Sequence, residues 1–430
     1  MPSLIARLGL LAILLSSSSH VDPFPAVTDE DVTITLQRTA CFGSCPDYTV
    51  TIDGEGNVRF TTRNAKGPGA ADVHRAFSPD DGVLISGVHT DSVDKQVVRD
   101  LVAQFHAADF FALKDEYVAP ITDNPSYVLT LRIGTHSKTI VDYVGVKAGM
   151  PASVTALEDA VDRAAGTARW VNGADGLIAY LERSAYDFTS PKARDIALAA
   201  ALKEGATDKT IIGLLERGAA LDRLANFPIG DHKGTLGKEL TIAATGGGRT
   251  TLFTWLAERG WAERTGRRAL ETEFAQTVGG CSASLVQAFA NRGFSVDMPS
   301  DEGETALGAL ANAYNCMNVD ARIAAAKALL DAGADPNHRN HDGETAIFGV
   351  EDLQLLDLLY ARGARADLTD KEGNSAVFSS WNDTIVLRHL RAGASKYGHY
   401  YDGKTLEEQM KKRPMPLTKE WLKDHPDFRA

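Results

Sequence analysis

The sequence predicts a multidomain chain: an α+β domain with an antiparallel sheet over residues 30–170, followed by an all-α repeat solenoid over residues 175–403. Three observations carry this. Residues 30–170 alternate apolar and polar at period two in several short runs, interrupted by two stretches of helical spacing. Two short phrases recur in the second half at a near-constant interval, and self-similarity at tens of residues is the mark of stacked units. The chain's 430 residues also exceed what one core usually serves.

The first twenty residues stand apart. Arg7 is followed by the apolar run Leu8 to Leu15, then by Ser16 to Ser19 and His20. One positive charge, a short apolar stretch and small residues describe a secretory signal peptide at 1–20, with Ser17 and Ser19 at the small positions before cleavage. The competing reading is an apolar N-terminus without that role. The run is shorter than the roughly 20 residues that span a bilayer, and no later segment reads as a membrane span. A periplasmic or secreted location follows from the signal, and an even cysteine count suits an oxidising compartment.

In the N-terminal domain, Val32–Leu36 and Tyr48–Ile52 alternate as strands. Asp53-Gly-Glu-Gly56 reads as a hairpin turn, with Val58–Phe60 as the return strand. Val97 to Phe111 has helical spacing, with Val98, Leu101, Val102 and Phe105 on one face. Tyr127–Ile133 and Lys138–Val141 form a second hairpin turning at Gly134, and Val154 to Ala168 returns to helix. The run Arg38-Thr-Ala-Cys41-Phe-Gly43-Ser-Cys45-Pro46-Asp-Tyr48, followed by Gly56, resembles a small domain of unknown function found in exported bacterial proteins. That resemblance implies a fold and no assigned activity.

The repeat region is marked first by its glycines. Leu214-Leu-Glu-Arg-Gly218-Ala219 returns as Leu256 to Trp261, Phe289 to Phe294, Leu329 to Ala334, Leu359 to Ala364 and His389 to Ala394. The glycines lie 42, 33, 40, 30 and 30 residues apart. A second phrase keeps phase: Gly303-Glu-Thr-Ala-Leu307, Gly343-Glu-Thr-Ala-Ile347, Gly373-Asn-Ser-Ala-Val377 and Gly403-Lys-Thr-Leu406. Together they resemble the ankyrin repeat, whose Gly-x-Thr-Pro-Leu-His element they match with Ala in place of Pro in three copies. A tetratricopeptide array lacks both phrases at this spacing.

Each part has a physical role. The Thr hydroxyl caps a first helix, and the glycine supplies the left-handed turn that ends a second one. Asn340-His-Asp-Gly343 and Asp370-Lys-Glu-Gly373 form hairpin tips, and stacking provides the core that one repeat lacks. An earlier unit is read at Leu177–Ser184, with Ser184 where glycine is expected, followed by helices at Ala193–Glu204 and Thr207–Arg217. About six repeats result. Insertions are expected over Arg223–Lys238 and Asn312–Asp320, and a helical cap with Trp421 and Leu422 over 404–430.

Site readings follow from placement. Cys41 and Cys45, with three residues between them, are read as a disulfide rather than a redox dithiol or half a zinc site, since no further ligand is near. Cys281 and Cys316 lie about one repeat apart. Equivalent points in neighbouring repeats are roughly 10 Å apart, so a bridge needs the insertion at Cys316 to close the gap; two buried free thiols are the alternative. His338, His341 and Asp342 are wet tip residues rather than a metal site, and Gly246-Gly-Gly248 is an inter-helix turn without the Lys-Ser/Thr that grips phosphate. No catalytic motif, cofactor motif or metal-binding set is found.

The net charge of −12 argues against nucleic acid, which needs a positive field. The first expectation is a non-catalytic binding module for a protein partner. Its contact residues are His341, Asp342, Glu344, Lys371, Glu372, Asn374, Tyr400 and Tyr401, the tyrosines serving equally well as packing in a capping repeat. Alternatives are an enzyme or inhibitor residing in the N-terminal domain, and an immunity or chaperone-like partner of an exported toxin or enzyme.

Overall fold

Alternation in the N-terminal runs becomes a sheet because one face can be buried throughout. The computed structural model describes residues 24–42, 45–63, 82–225, 234–277, 281–311, 316–426 and 428. Residues 1–20, read above as a signal peptide, lie outside the described residues, as does Gly43. The described residues fall into two units, the first ending at Thr167 and the second running from Ala168, with Val83–Ser86 belonging to the second.

In the first unit the strands are β1 (Val32–Arg38), β2 (Tyr48–Asp53), β3 (Asn57–Thr62), β4 (Val88–Ser92), β5 (Glu116–Val118), β6 (Tyr127–Ile133) and β7 (His136–Tyr143). Their order is β4-β3-β2-β1-β6-β7-β5, antiparallel except for the parallel β5/β7 pair. The sheet is therefore mixed rather than purely antiparallel. Its register places Phe60 opposite Val50, Val50 opposite Leu36, and Leu36 opposite Leu129, a row of buried apolar side chains across four strands. Helix α1 (Lys95–Ala107) buries Val98, Leu101, Val102 and Phe105, the four residues its periodicity selected. It packs on α2 (Ala152–Ala165), which lies against β1 and β2. The two edge strands β4 and β5 were not legible. One is the polar run Val-His-Thr-Asp-Ser and the other has three residues.

The second unit is helical. It comprises α3 (Ala168–Val171), α4 (Leu177–Arg183), α5 (Pro191–Leu202), α6 (Asp208–Glu216), α7 (Leu236–Gly246), α8 (Thr250–Ala257), α9 (Trp261–Thr265) and α10 (Arg267–Thr277). It continues with α11 (Ala283–Asn291), α12 (Ala306–Ala309), α13 (Val319–Asp331), α14 (Leu353–Ala361), α15 (Asp383–Arg391), α16 (Leu406–Lys412) and α17 (Pro416–Asp424). Contacts run α5 to α7, α7 to α10 and α10 to α12. A second series runs α4 to α6, α6 to α8, α8 to α11, α11 to α13, α13 to α14 and α14 to α15.

Two hydrogen-bond patterns recur with the sequence phrases. Where the glycine phrase ends a helix, the N–H after the glycine donates back five residues: Ala219 to Leu214, Phe294 to Phe289, Ala334 to Leu329, Ala364 to Leu359 and Ala394 to His389, at 3.0–3.3 Å. The intervening glycines have φ between 77° and 129°, which only glycine adopts without strain. At the tips, Ser300, Asn340, Asp370 and Tyr400 donate to the carbonyl four residues on and accept from the glycine three residues on.

Several expectations are corrected. Gly260 does not lead into a tip. The chain passes directly into α9, and Trp261 packs so closely on Gly237 that a Cβ there would lie 2.4 Å from the indole. In the Leu177 unit the left-handed residue is Ala185 (φ 52°), one position past Ser184. The Gly-x-Thr phrase opens a helix of four residues after Thr305 and one of seven after Thr405, but only a turn after Thr345 and a 3-10 helix, Ala376–Ser379, after Ser375. Those last two units follow the shortest glycine spacing, 30 residues, and the first helix is the part that yields. The insertion expected to end at Lys238 gives way to α7 at Leu236, while its residues 226–233 lie outside the described set, as do 312–315 of the other insertion.

The stretch 404–430, expected to be a helical cap, carries α16 and α17. Leu406 and Met415 join a core with Val377, Phe378, Val386 and Leu390, and Trp421 and Leu422 pack against it.

Candidate functional site

The tips and short first helices near the end of the helical unit enclose a cleft of about 520 Å³. Its rim comes from two neighbouring tips, which are tied by backbone: the Lys371 N–H donates to the Asp342 carbonyl at 2.8 Å. Each tip is braced internally. The Asp370 carboxylate accepts from the backbone N–H of Glu372 at 2.9 Å and of Asn374 at 2.8 Å. Asn374 in turn accepts from the His399 N–H at 2.8 Å, which joins the next tip.

One wall is acidic. Asp342, Glu344, Asp370 and Glu372 line the cleft with a single lysine, Lys371. Among the described residues none of these four carboxylates is in an ion pair. Burial raises the pKa of Glu344 above its ordinary value, against the Asn340 hydrogen bond, and the charges of Asp342, Glu304 and Asp370 push the same way. The other wall is aromatic. Trp381 and Tyr401 stack at 5.4 Å with planes 25° apart, and Phe378 lines the cleft with them.

Of the eight expected contact residues, Asp342, Glu344, Lys371, Glu372, Asn374 and Tyr401 line this one cleft. Two do not. The imidazole of His341 lies beside Gly303. Tyr400 is 2% exposed and packs edge-on to Phe378 and Trp381, so it is a core residue; its neighbour Tyr401 is 87% exposed. Asn374 is nearly buried and braces the tips as much as it lines the cleft. Sequence reading missed Phe348, Phe378 and Trp381, which follow the phrases that would have flagged them.

Both cysteine pairs sit at disulfide distance, with Cα–Cα separations of 5.5 Å for Cys41/Cys45 and 5.9 Å for Cys281/Cys316. At the second pair, both members of which lie in the helical unit, the separation is thus smaller than the roughly 10 Å expected from helix diameter alone. Among the described residues no group of three His, Cys, Asp or Glu could hold a metal, and no helix is long and apolar enough to cross a membrane. His338 contacts the Gly303 carbonyl at 3.3 Å.

In the first unit, the motif residues Arg38 and Tyr48 converge on one carboxylate. Arg38 Nε and the Tyr48 hydroxyl each donate to Asp162 at 2.7 Å, Thr167 donates at 2.8 Å, and the guanidinium covers the Tyr127 ring at 4.4 Å. Burial and the Asp162 charge push the Tyr48 phenol up, so it stays a donor. These contacts pin α2 to the sheet. One turn away Glu158 is 1% exposed, its pKa raised to about 8 by burial first and Asp142 next.

The profile of a family described as a domain of unknown function, DUF6438, matches residues 32–165. No curated protein matches the chain. A solved structure, the ankyrin repeat domain of Bcl-3, a member of the IκB protein family, aligns at 16% identity with a TM-score of 0.32, over 54% of this chain and 92% of that one.

Proposed function

We propose that this is an exported binding protein without catalytic activity, whose helical region is an ankyrin-type stack that presents the cleft to another protein. The observation that carries the reading is the convergence of six tip and helix-opening residues on one cleft at the end of the helical unit. The repeated tip and helix-exit hydrogen bonds support the stack, since they recur at the intervals of the two phrases. Export rests on the composition of residues 1–20 and on two cysteine pairs poised for bridges of the kind oxidising compartments permit.

The test uses the full chain lacking residues 1–20, immobilised and exposed to the periplasmic and culture-supernatant proteins of the source cell. Tyr401→Ala with Glu372→Ala removes two exposed side chains of the cleft and should lower recovery of a saturable partner at least about tenfold, the loss of a single hot spot of roughly 1.4 kcal/mol. Recovery unchanged by that pair, but lost on changing the exposed Phe42 of the N-terminal domain to Ala, would overturn the reading and move the interaction to the first unit.

A further inference from the structure

We infer that the cleft receives an arginine side chain from an extended segment of the partner protein. This rests on the protein-binding reading above and gives it a chemistry.

The space, about 520 Å³, suits a side chain with its flanking backbone and is too small for a folded element. Charge selects the kind of side chain. Four carboxylates face one lysine, and the half-buried ones already repel one another. An apolar or anionic occupant would strip water from these oxygens and return nothing, which costs more than burial of its own surface repays. A cation is the occupant that offsets that cost.

The aromatic wall selects arginine over lysine. The chain's own Arg413, which is not a cleft-lining residue, lays its guanidinium 3.8 Å from the Trp381 ring centroid, so an indole of this wall already stacks with a planar cation. Tyr401, stacked on Trp381 and 87% exposed, supplies a second apolar surface for the aliphatic stem. A guanidinium pairs in fork geometry with carboxylates such as Glu344 and Glu372 while stacking on a ring; an ammonium does neither as well. The tips are held by backbone bonds and the Asp370 brace, so little ordering is required on binding.

The experiment titrates the full chain into a fluorescein-labelled, end-capped Gly-Arg-Gly-Arg-Gly peptide and follows anisotropy, beside the same peptide with citrulline or lysine for arginine. Citrulline keeps the shape and drops the charge. Arginine should bind at least about tenfold tighter than citrulline and severalfold tighter than lysine, and weaken as salt shortens the screening length. Glu344→Gln with Glu372→Gln should remove the arginine preference while leaving the melting temperature near that of the parent. Equal binding of arginine and citrulline peptides, or an undiminished preference in the Gln pair, overturns the inference. If partner capture still depends on Tyr401 while the arginine preference is absent, only the inference fails. If capture ignores the cleft altogether, both fail.

Discussion

A carboxylic acid that is buried beside another acid keeps its proton, and Glu158 is placed that way. It lies on the sheet-facing side of α2 with Val154, Leu157 and Val161, and among the described residues its Oε1 accepts no hydrogen bond. Facing it are Asp142 from β7, Arg38 from β1, and Asp159 and Asp162 of its own helix. Its folded-state pKa, about 8, exceeds the unfolded value of 4.5. Between those values the folded chain binds the extra proton, so this residue's contribution to stability falls as pH rises through that window. Relative to the parent, Glu158→Gln should gain about 4 kcal/mol between pH 5 and pH 9 in denaturant titrations, most of it below pH 8. Parallel curves at all pH values would refute this. The position was partly legible: its number falls on the apolar face set by Val154, but nothing in one sequence says that an acid there is kept neutral.

At the level of helices, glycine at the exits was the clearest signal, and Ala185 is the informative exception. Its N–H donates to Glu182, and Tyr186 donates to Leu181, the same exit geometry glycine provides elsewhere. An exposed alanine at φ 52° carries left-handed strain that glycine lacks. Ala185→Gly should therefore stabilise the helical unit by roughly 0.5–1 kcal/mol, after allowing for glycine's greater unfolded-state freedom. A lower melting temperature would count against the argument. First helices were less legible than second ones. The Thr phrase fixes where a first helix can start but not how long it runs, and after Thr345 and Ser375 the short spacing leaves one turn. At Gly260 the exit phrase was present, yet Trp261 and Ala262 are buried and carry the chain straight into α9. Bulk behind the glycine decided the path, and phrase matching does not register bulk.

Over the whole chain, the division into a sheet domain and a helical region was readable because period two and a recurrence of 30–42 residues are long-range patterns. The composition of the cleft was only half readable. Tip positions announce themselves, whereas Tyr400 and Tyr401 are adjacent and their opposite fates depend on packing from Phe378 and Trp381. Cys281 and Cys316 bridge a separation of 35 residues, which loop-closure entropy values at about 3–4 kcal/mol, against about 2 kcal/mol for the four-residue separation of Cys41 and Cys45. Under oxidising conditions, replacing the former pair by alanine should lower the denaturation midpoint of the helical unit clearly more than replacing the latter lowers that of the sheet domain. Identical midpoints with and without Cys281 and Cys316 would mean the bridge contributes nothing.

The Lys371 amide resting on the Asp342 carbonyl, and the His341 amide on that of Glu302, are made by atoms every residue type but proline possesses. The frame beneath the rim is therefore indifferent to what is mounted on it. Asp342, Lys371 and Glu372 can be exchanged for other chemistries without dismantling their support, so a descendant or an engineered copy could acquire a new guest by rewriting a few outward positions.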